Sequence, residues 1–336
     1  MTLGILAEAP SACSRAHRSG AAQHSRAIHA THRDAAPDRF AELLNVAAEI
    51  ELESASTTNG HLGYVSRLLT VATMPHRKPT QCVFVRRNGH FSLSMLSPPH
   101  VGLPYGTKPR LLMAWLAREV AATEKRELVL GESLAEFMRQ LGLSSRGGKR
   151  GDIAMLKEQM RRLFACSITF VDERPERFHA EPGRAIVDAT NLWWKPAQPD
   201  QCALWASTVT LSEWFFGELM AHPVPVDLRL LRTFQHSAME LDIYGWLTHK
   251  ASYTMRATRP IPWDLLRLQF GADYADTKAG LRAFRFNFLK HLKVVLSAYR
   301  GAKVELSEKG LIFKPSLTSV PRVAASDGRA VGKAVD

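Results

Sequence analysis

The sequence predicts an α+β protein in which one unit, helix–strand–helix–helix–β-ribbon, occurs twice. Three observations predict it. Residues 107–165 read as helix, short strand, helix, turn and helix, with β-runs after them. Residues 237–315 repeat that order. Both third helices carry a cationic stripe beside an apolar one. The order is that of a winged helix, a helix-turn-helix with a small sheet attached, whose third helix can lie in a major groove. Identity between the halves is low, so the repeat rests on element order.

The elements follow in order. Residues 1–36 form a basic tail with Arg15, Arg18, Arg26 and Arg33 against only Glu8 and Asp34. The composition reads as disordered and also mimics a mitochondrial transit peptide. Residues 37–105 are an N-terminal segment, with helical spacing over 38–53 and a hairpin over 82–96. Asn88-Gly89 in that hairpin is the dipeptide favoured by a type I′ turn. The first winged-helix domain spans 106–222. Its first helix, 107–123, places Leu112, Trp115, Leu116 and Val120 on one face. ELVLG is a strand. SLAEFMRQLG is the second helix, with Ser133 as N-cap and Glu136 completing a capping box. The third helix is 149–165, and a β-ribbon covers 165–194. The second domain spans 223–318. Its helices are 237–253, a helix opened by Pro262, and 276–299, followed by a hairpin over 302–315. A short polar tail, 319–336, ends the chain. Trp115, Trp193, Trp194, Trp214 and Trp246 sit among apolar neighbours and read as core.

Charge points to the partner. Lys+Arg 44 against Asp+Glu 32 gives +12 and a pI near 9.8, a balance that suits a polyanion such as nucleic acid. A basic protein without such a partner is the plain alternative. The charge concentrates on the third helices. Residues 145–165 hold six basic and two acidic residues, and residues 276–300 hold six against Asp276. Arg150, Lys157 and Arg161 share a face of the first; Arg282, Lys293 and Arg300 line the second, with Lys278 and Arg285 at its margin. Before the first of these helices stands Arg146-Gly147-Gly148-Lys149-Arg150. Its glycines let backbone N–H groups approach an anion where a helix dipole begins. The expected DNA-contacting residues are therefore Arg146, Gly147, Gly148, Lys149, Arg150, Lys157, Arg161, Lys278, Arg282, Arg285, Lys293 and Arg300.

Enzyme readings fare worse. Gly142 to Gly147 has P-loop spacing, but Gly148 stands where lysine should follow, and Arg150 follows Lys149 in place of a hydroxyl residue. His76, His90, His249 and His291 are isolated, and Glu240 and Asp242, at i,i+2, do not face each other. The 4 cysteines make no CxxC pair and read as reduced thiols of a cytoplasmic protein. No run is long and apolar enough to span a bilayer. A non-enzyme is expected, with no cofactor, no metal and no membrane.

LPYG at 103–106 with PRLLMAWLARE after it, RELVLGESLAEFMRQLGL, the RGGKRG loop, LKEQMRRLF, MPHRKP at 74–79 and VRRNGHFSLSML together resemble the plasmid-encoded RepA family of replication initiators. The similarity runs from about residue 62 to 315. The resemblance implies a bacterial cytoplasmic protein that binds repeats at a plasmid origin, helps open the duplex, and recruits the host replicative helicase with the host initiator. It also implies a monomer that binds the origin and a homodimer that represses its own promoter. A transcriptional repressor without initiator activity, and a scaffold whose basic faces meet acidic protein, are the alternatives.

Overall fold

The structure is a computed structural model that describes residues 39–52, 61–145, 151–174, 177–193, 198–201, 207–271 and 273–320. Helix α1 (39–52) comes first. Then follow β1 (Leu62–Ser66), α2 (Arg67–Val71) and the hairpin β2 (Val83–Asn88) and β3 (Phe91–Leu96). The first unit is α3 (Thr107–Thr123), β4 (Glu127–Val129), α4 (Leu134–Gln140) and α5 (Asp152–Phe164). Strands β5 (Ser167–Arg174), β6 (Arg177–Ala185), β7 (Val187–Asn191) and β8 (Thr208–Leu211) come next. A connector of α6 (Glu213–Ala221), β9 (Pro223–Asp227) and α7 (Leu228–Thr233) leads to the second unit. That unit is α8 (Ala238–Tyr253), β10 (Ile261–Pro262), α9 (Trp263–Phe270), α10 (Lys278–Ala298), β11 (Val304–Ser307) and β12 (Gly310–Phe313). The α+β class is borne out. The basic N-terminal tail and the end of the chain past 320 lie outside the described residues.

The two units share a sheet topology. In the first, β4 pairs β8 and β8 pairs β7; in the second, β10 pairs β12 and β12 pairs β11. In both, the strand after the first helix joins the last strand, which joins the one before it. The β-runs of 165–194, expected as one ribbon, divide between two sheets. Only β7 stays with the unit, while β5 and β6 extend the hairpin into the sheet β2-β3-β5-β6. The cause is burial. Ile168 and Phe170 of β5 lie opposite Met95 and Leu93 of β3, and all four are buried. Pairing there hides a continuous apolar face. Ladders thus cross the expected boundaries at 105/106 and 222/223, since β1 also pairs β9.

Local signals hold with adjustments. Asn88 pairs with Phe91, so Gly89 and His90 form the hairpin loop. Gly89 has φ +59° and His90 is not in the left-handed region. Type I′ needs both central residues there, so the turn is not I′; glycine at the first position alone is the II′ pattern. Ser133 Oγ accepts from Glu136 N–H at 3.2 Å, as expected, but the Glu136 carboxylate reaches Glu132 N–H instead of the N-cap's own. The capping box is displaced by one residue. Gly142 closes α4. It has φ +71°, its N–H donates to Arg139 O, and Leu143 N–H donates to Met138 O. This is a Schellman cap. The first glycine of the P-loop-like spacing is a helix terminator.

The core runs through both units. Helix α3 was expected to bury one face, yet every residue from Pro109 to Ala117 is buried. A helix buried all round sits at the centre, with neighbours on each side. Trp115 and Trp246 are core as expected. Trp193 is not: it is 55% exposed, two residues past the end of β7. Trp214 is half-buried, and Trp194 lies outside the described residues.

A buried ionic knot joins α3 to α8. Arg110 donates from Nε to Asp242 Oδ1 at 2.6 Å and from Nη2 to Oδ2 at 2.7 Å. Its remaining donors reach the Met74, Pro75 and Gly106 carbonyls. His76 Nε2 lies 2.7 Å from Asp242 Oδ2. An ionised carboxylate only accepts, so His76 Nε2–H donates. Burial pulls the His76 imidazole below its usual value despite Asp242 beside it. Burial does the same at His249, with help from Arg67 and Lys250, to about 4. His249 Nδ1 faces Thr70 Oγ1 at 3.0 Å.

These imidazoles set a pH dependence. The unfolded chain takes up both protons near the ordinary histidine value, while the fold resists them. Stability is therefore complete above about pH 6.5 and declines as pH falls toward 4. Thermal unfolding followed from pH 7.5 downward, each pH about half a unit apart, checks this. His249→Gln keeps a polar partner for Thr70 and should flatten part of the decline; an unchanged profile would remove His249 from the account.

Candidate nucleic-acid interface

The third helix of the first unit, α5, starts at N-cap Gly151, with Asp152 in its first turn. Asp152 accepts from Ser144 N–H at 3.1 Å and pairs with Lys108 Nζ at 2.7 Å. Against partial burial, which raises it, the Lys108 bond and charge hold the Asp152 carboxyl below its usual value. A carboxylate of the chain itself already occupies the positive end of the helix dipole. Arg146, Gly147, Gly148, Lys149 and Arg150 lie outside the described residues. Ile153, Leu156, Met160 and Leu163 are buried as the spacing predicts, while Phe164, expected on the same face, is half-buried. On the outer face Lys157 is exposed, and Arg161 pairs with Glu158 at 3.2 Å. Arg162, one of the six counted cations, is buried. It donates to Glu158 Oε1 and Leu103 O and lies over the Tyr105 ring at 5.6 Å. It packs α5 against the 97–105 loop and offers no charge to solvent.

The third helix of the second unit, α10, is longer and more cationic. Thr277 caps it, its side chain accepting from Gly280 N–H at 3.0 Å. Phe284, Phe288, Leu292 and Val295 are buried beneath it. Phe288 meets Phe284, Phe270 and Trp263 at centroid distances of 5.4, 5.2 and 6.4 Å. Tilted and edge-on aromatic packing of this kind anchors the helix to the core. The outer face carries Lys278, Arg282, Arg285, Lys290 and Lys293, all exposed. Among the described residues none of these five has an ion-pair partner. Arg285 lies over the Trp263 ring at 4.8 Å, which aims its guanidinium along the surface.

Arg300 departs from the expected set. Its Nη1 is 2.9 Å from Glu51 Oε2, so it fastens α1 to the end of α10. A second tie joins the same elements: Glu240, almost fully buried, takes Arg39 of α1 and, at 2.9 Å, His291 Nδ1 of α10. Glu240 and Asp242 thus face different partners, as their i,i+2 spacing requires.

The structure brings Lys278, Arg282, Arg285 and Lys293 together on one face. Sequence reasoning missed two neighbours there. Lys290 was counted as charge but not placed in the stripe. Phe286, 72% exposed, stands among the cations. Its position off the 284–288–292 stripe was the signal that it does not serve the core.

No group of three or more His, Cys, Asp or Glu among the described residues is placed to hold a metal ion. No described helix is long and apolar enough to cross a membrane. Residues 103–265 match the family described as plasmid encoded RepA protein, RepA_C. A comparison with curated proteins returns no match. Two solved structures resemble the fold. A selenomethionine derivative of domains 2 and 3 of RctB is 11% identical, covering 74% of this chain and 96% of its own, with TM-score 0.41. RctB domains 2–3 give 10%, 73%, 94% and 0.42.

Proposed function

We propose, from the RepA family match over residues 103–265, that this chain is a plasmid replication initiator built from two winged helices that bind origin DNA. One observation carries the DNA-binding reading: α10, the third helix of its unit, shows five exposed cations without an ion-pair partner among the described residues. A third helix so placed fits a major groove, and its cations fit the backbone phosphates on either side. The shared strand order of the two small sheets supports reading both units as winged helices. Helix α5 serves as the second reader, tethered to the first, so that engagement of one makes the other effectively intramolecular. Bending the site costs on the order of 1–6 kcal/mol, offset by the added contacts, and favours melting of adjacent A·T-rich DNA. The protein breaks no bond; it positions the duplex and recruits the host helicase.

Footprinting on the origin of the plasmid that encodes the chain tests this. Protection of repeated sequences at moderate salt is expected, with no ATP hydrolysis. Equal affinity for an unrelated duplex would contradict origin recognition. Maintenance of an origin plasmid in transformed cells separates an initiator from a plain repressor.

A further inference from the structure

We propose that Phe286 reads thymine: its ring meets the C5-methyl groups exposed in the major groove and selects T·A pairs under α10. The proposal rests on the DNA-binding reading above and names what that site recognises. On a helix at about 100° per residue, Phe286 falls about 40° from Arg282 and about 20° from Lys293, inside the cationic face. The aromatic core beneath is complete without it, since Phe284 and Phe288 are fully buried. Phe286 is 72% exposed. Ala283 and Ala279, which lie about one turn and about two turns before it on the same side, are also exposed. Their small side chains leave the ring standing proud, with room for a groove wall to close on it.

Chemistry then selects the target. The cations around it have phosphate partners, which carry no sequence information. A phenyl ring has no use for a phosphate. Among the groups that base edges present in the major groove, the thymine methyl is the apolar one. A ring presented between flanking cations is held at base-edge depth while they hold the backbone.

The test uses the full chain and the protected origin fragment, with thymine or with uracil in place of thymine across the repeats. Uracil removes only the methyl. The unaltered chain should bind the uracil fragment more weakly, on the order of fourfold per contacted methyl. Phe286→Ala should lose that difference while keeping the same dependence on salt. Arg282→Ala should do the reverse, keeping the thymine preference with a shallower salt dependence. If Phe286→Ala keeps the full thymine preference, the assignment is wrong, and a protein partner becomes the reading for this side chain. If the unaltered chain binds neither fragment, the DNA-binding reading itself fails.

Discussion

Replacing Asp242 with alanine is expected to destabilise the protein by about 3–5 kcal/mol, the cost of breaking a buried ion pair by removing one partner. Arg110 would stay charged at the centre of the molecule, with carbonyl acceptors but no counter-charge, and His76 would lose its acceptor. The pair is firm. Against burial, which raises it, the Arg110 guanidinium and the His76 bond hold the Asp242 carboxyl below its usual value. Its own contribution is thus present above the ordinary carboxylate value and fades in acid below it. The double variant Arg110→Met with Asp242→Leu should recover much of the loss, because buried pairs are often replaceable by apolar residues. Recovery should be incomplete, since Met74 O and Gly106 O lose a donor. Chemical denaturation of the unaltered chain, this double variant and its two single variants, Arg110→Met and Asp242→Leu, measures the coupling. A loss below about 1 kcal/mol for Asp242→Ala would mean that the knot does not hold α3 to α8.

This knot matters for function because α3 and α8 are the first helices of the two units. Both third helices belong to those units, so on the proposed DNA-binding reading the spacing between them depends on what fixes α3 against α8. Asp242→Ala should therefore also weaken binding to paired repeats more than binding to a single one.

How much of this was legible in sequence varied with the range of the interaction. Helix α3 was bounded correctly from its spacing, and α10 to within two residues, because helical contacts are local. The hairpin was found from Asn88-Gly89, although the dipeptide sits one place earlier in the turn than expected. Strands β1 and β9 were missed. They pair across 62–66 and 223–227, and β9 carries Pro223 and Pro225, which argue against a strand when read alone. Only a partner about 160 residues away makes them a ladder. The division of the 165–194 ribbon has the same cause: nothing near Ile168 tells it that Met95 is waiting. At the candidate site, face arithmetic placed Lys278, Arg282, Arg285 and Lys293 on one exposed face, where the structure has them. It did not foresee the ion pair of Arg300, since a count of like charges does not reveal Glu51 on a distant helix.

The second large effect concerns α10. Lys278→Ala, Arg282→Ala and Lys293→Ala together remove three cations that have no ion-pair partner among the described residues. Each lost phosphate contact lowers the slope of log affinity against log salt by about 0.9, so the triple variant should lose about 2.7. Its affinity for any duplex should fall, with the ranking of sequences kept, because phosphates carry no sequence. Arg300→Ala is the control. Its guanidinium belongs to Glu51, so the slope should stay, and only the docking of α1 should loosen.

A titration of origin-fragment binding between about 50 and 200 mM salt, for the unaltered chain and the triple variant side by side, decides whether α10 lies on DNA. A steep decline is expected for the unaltered chain and a line shallower by about 2.7 for the variant. Parallel lines would take α10 off the DNA.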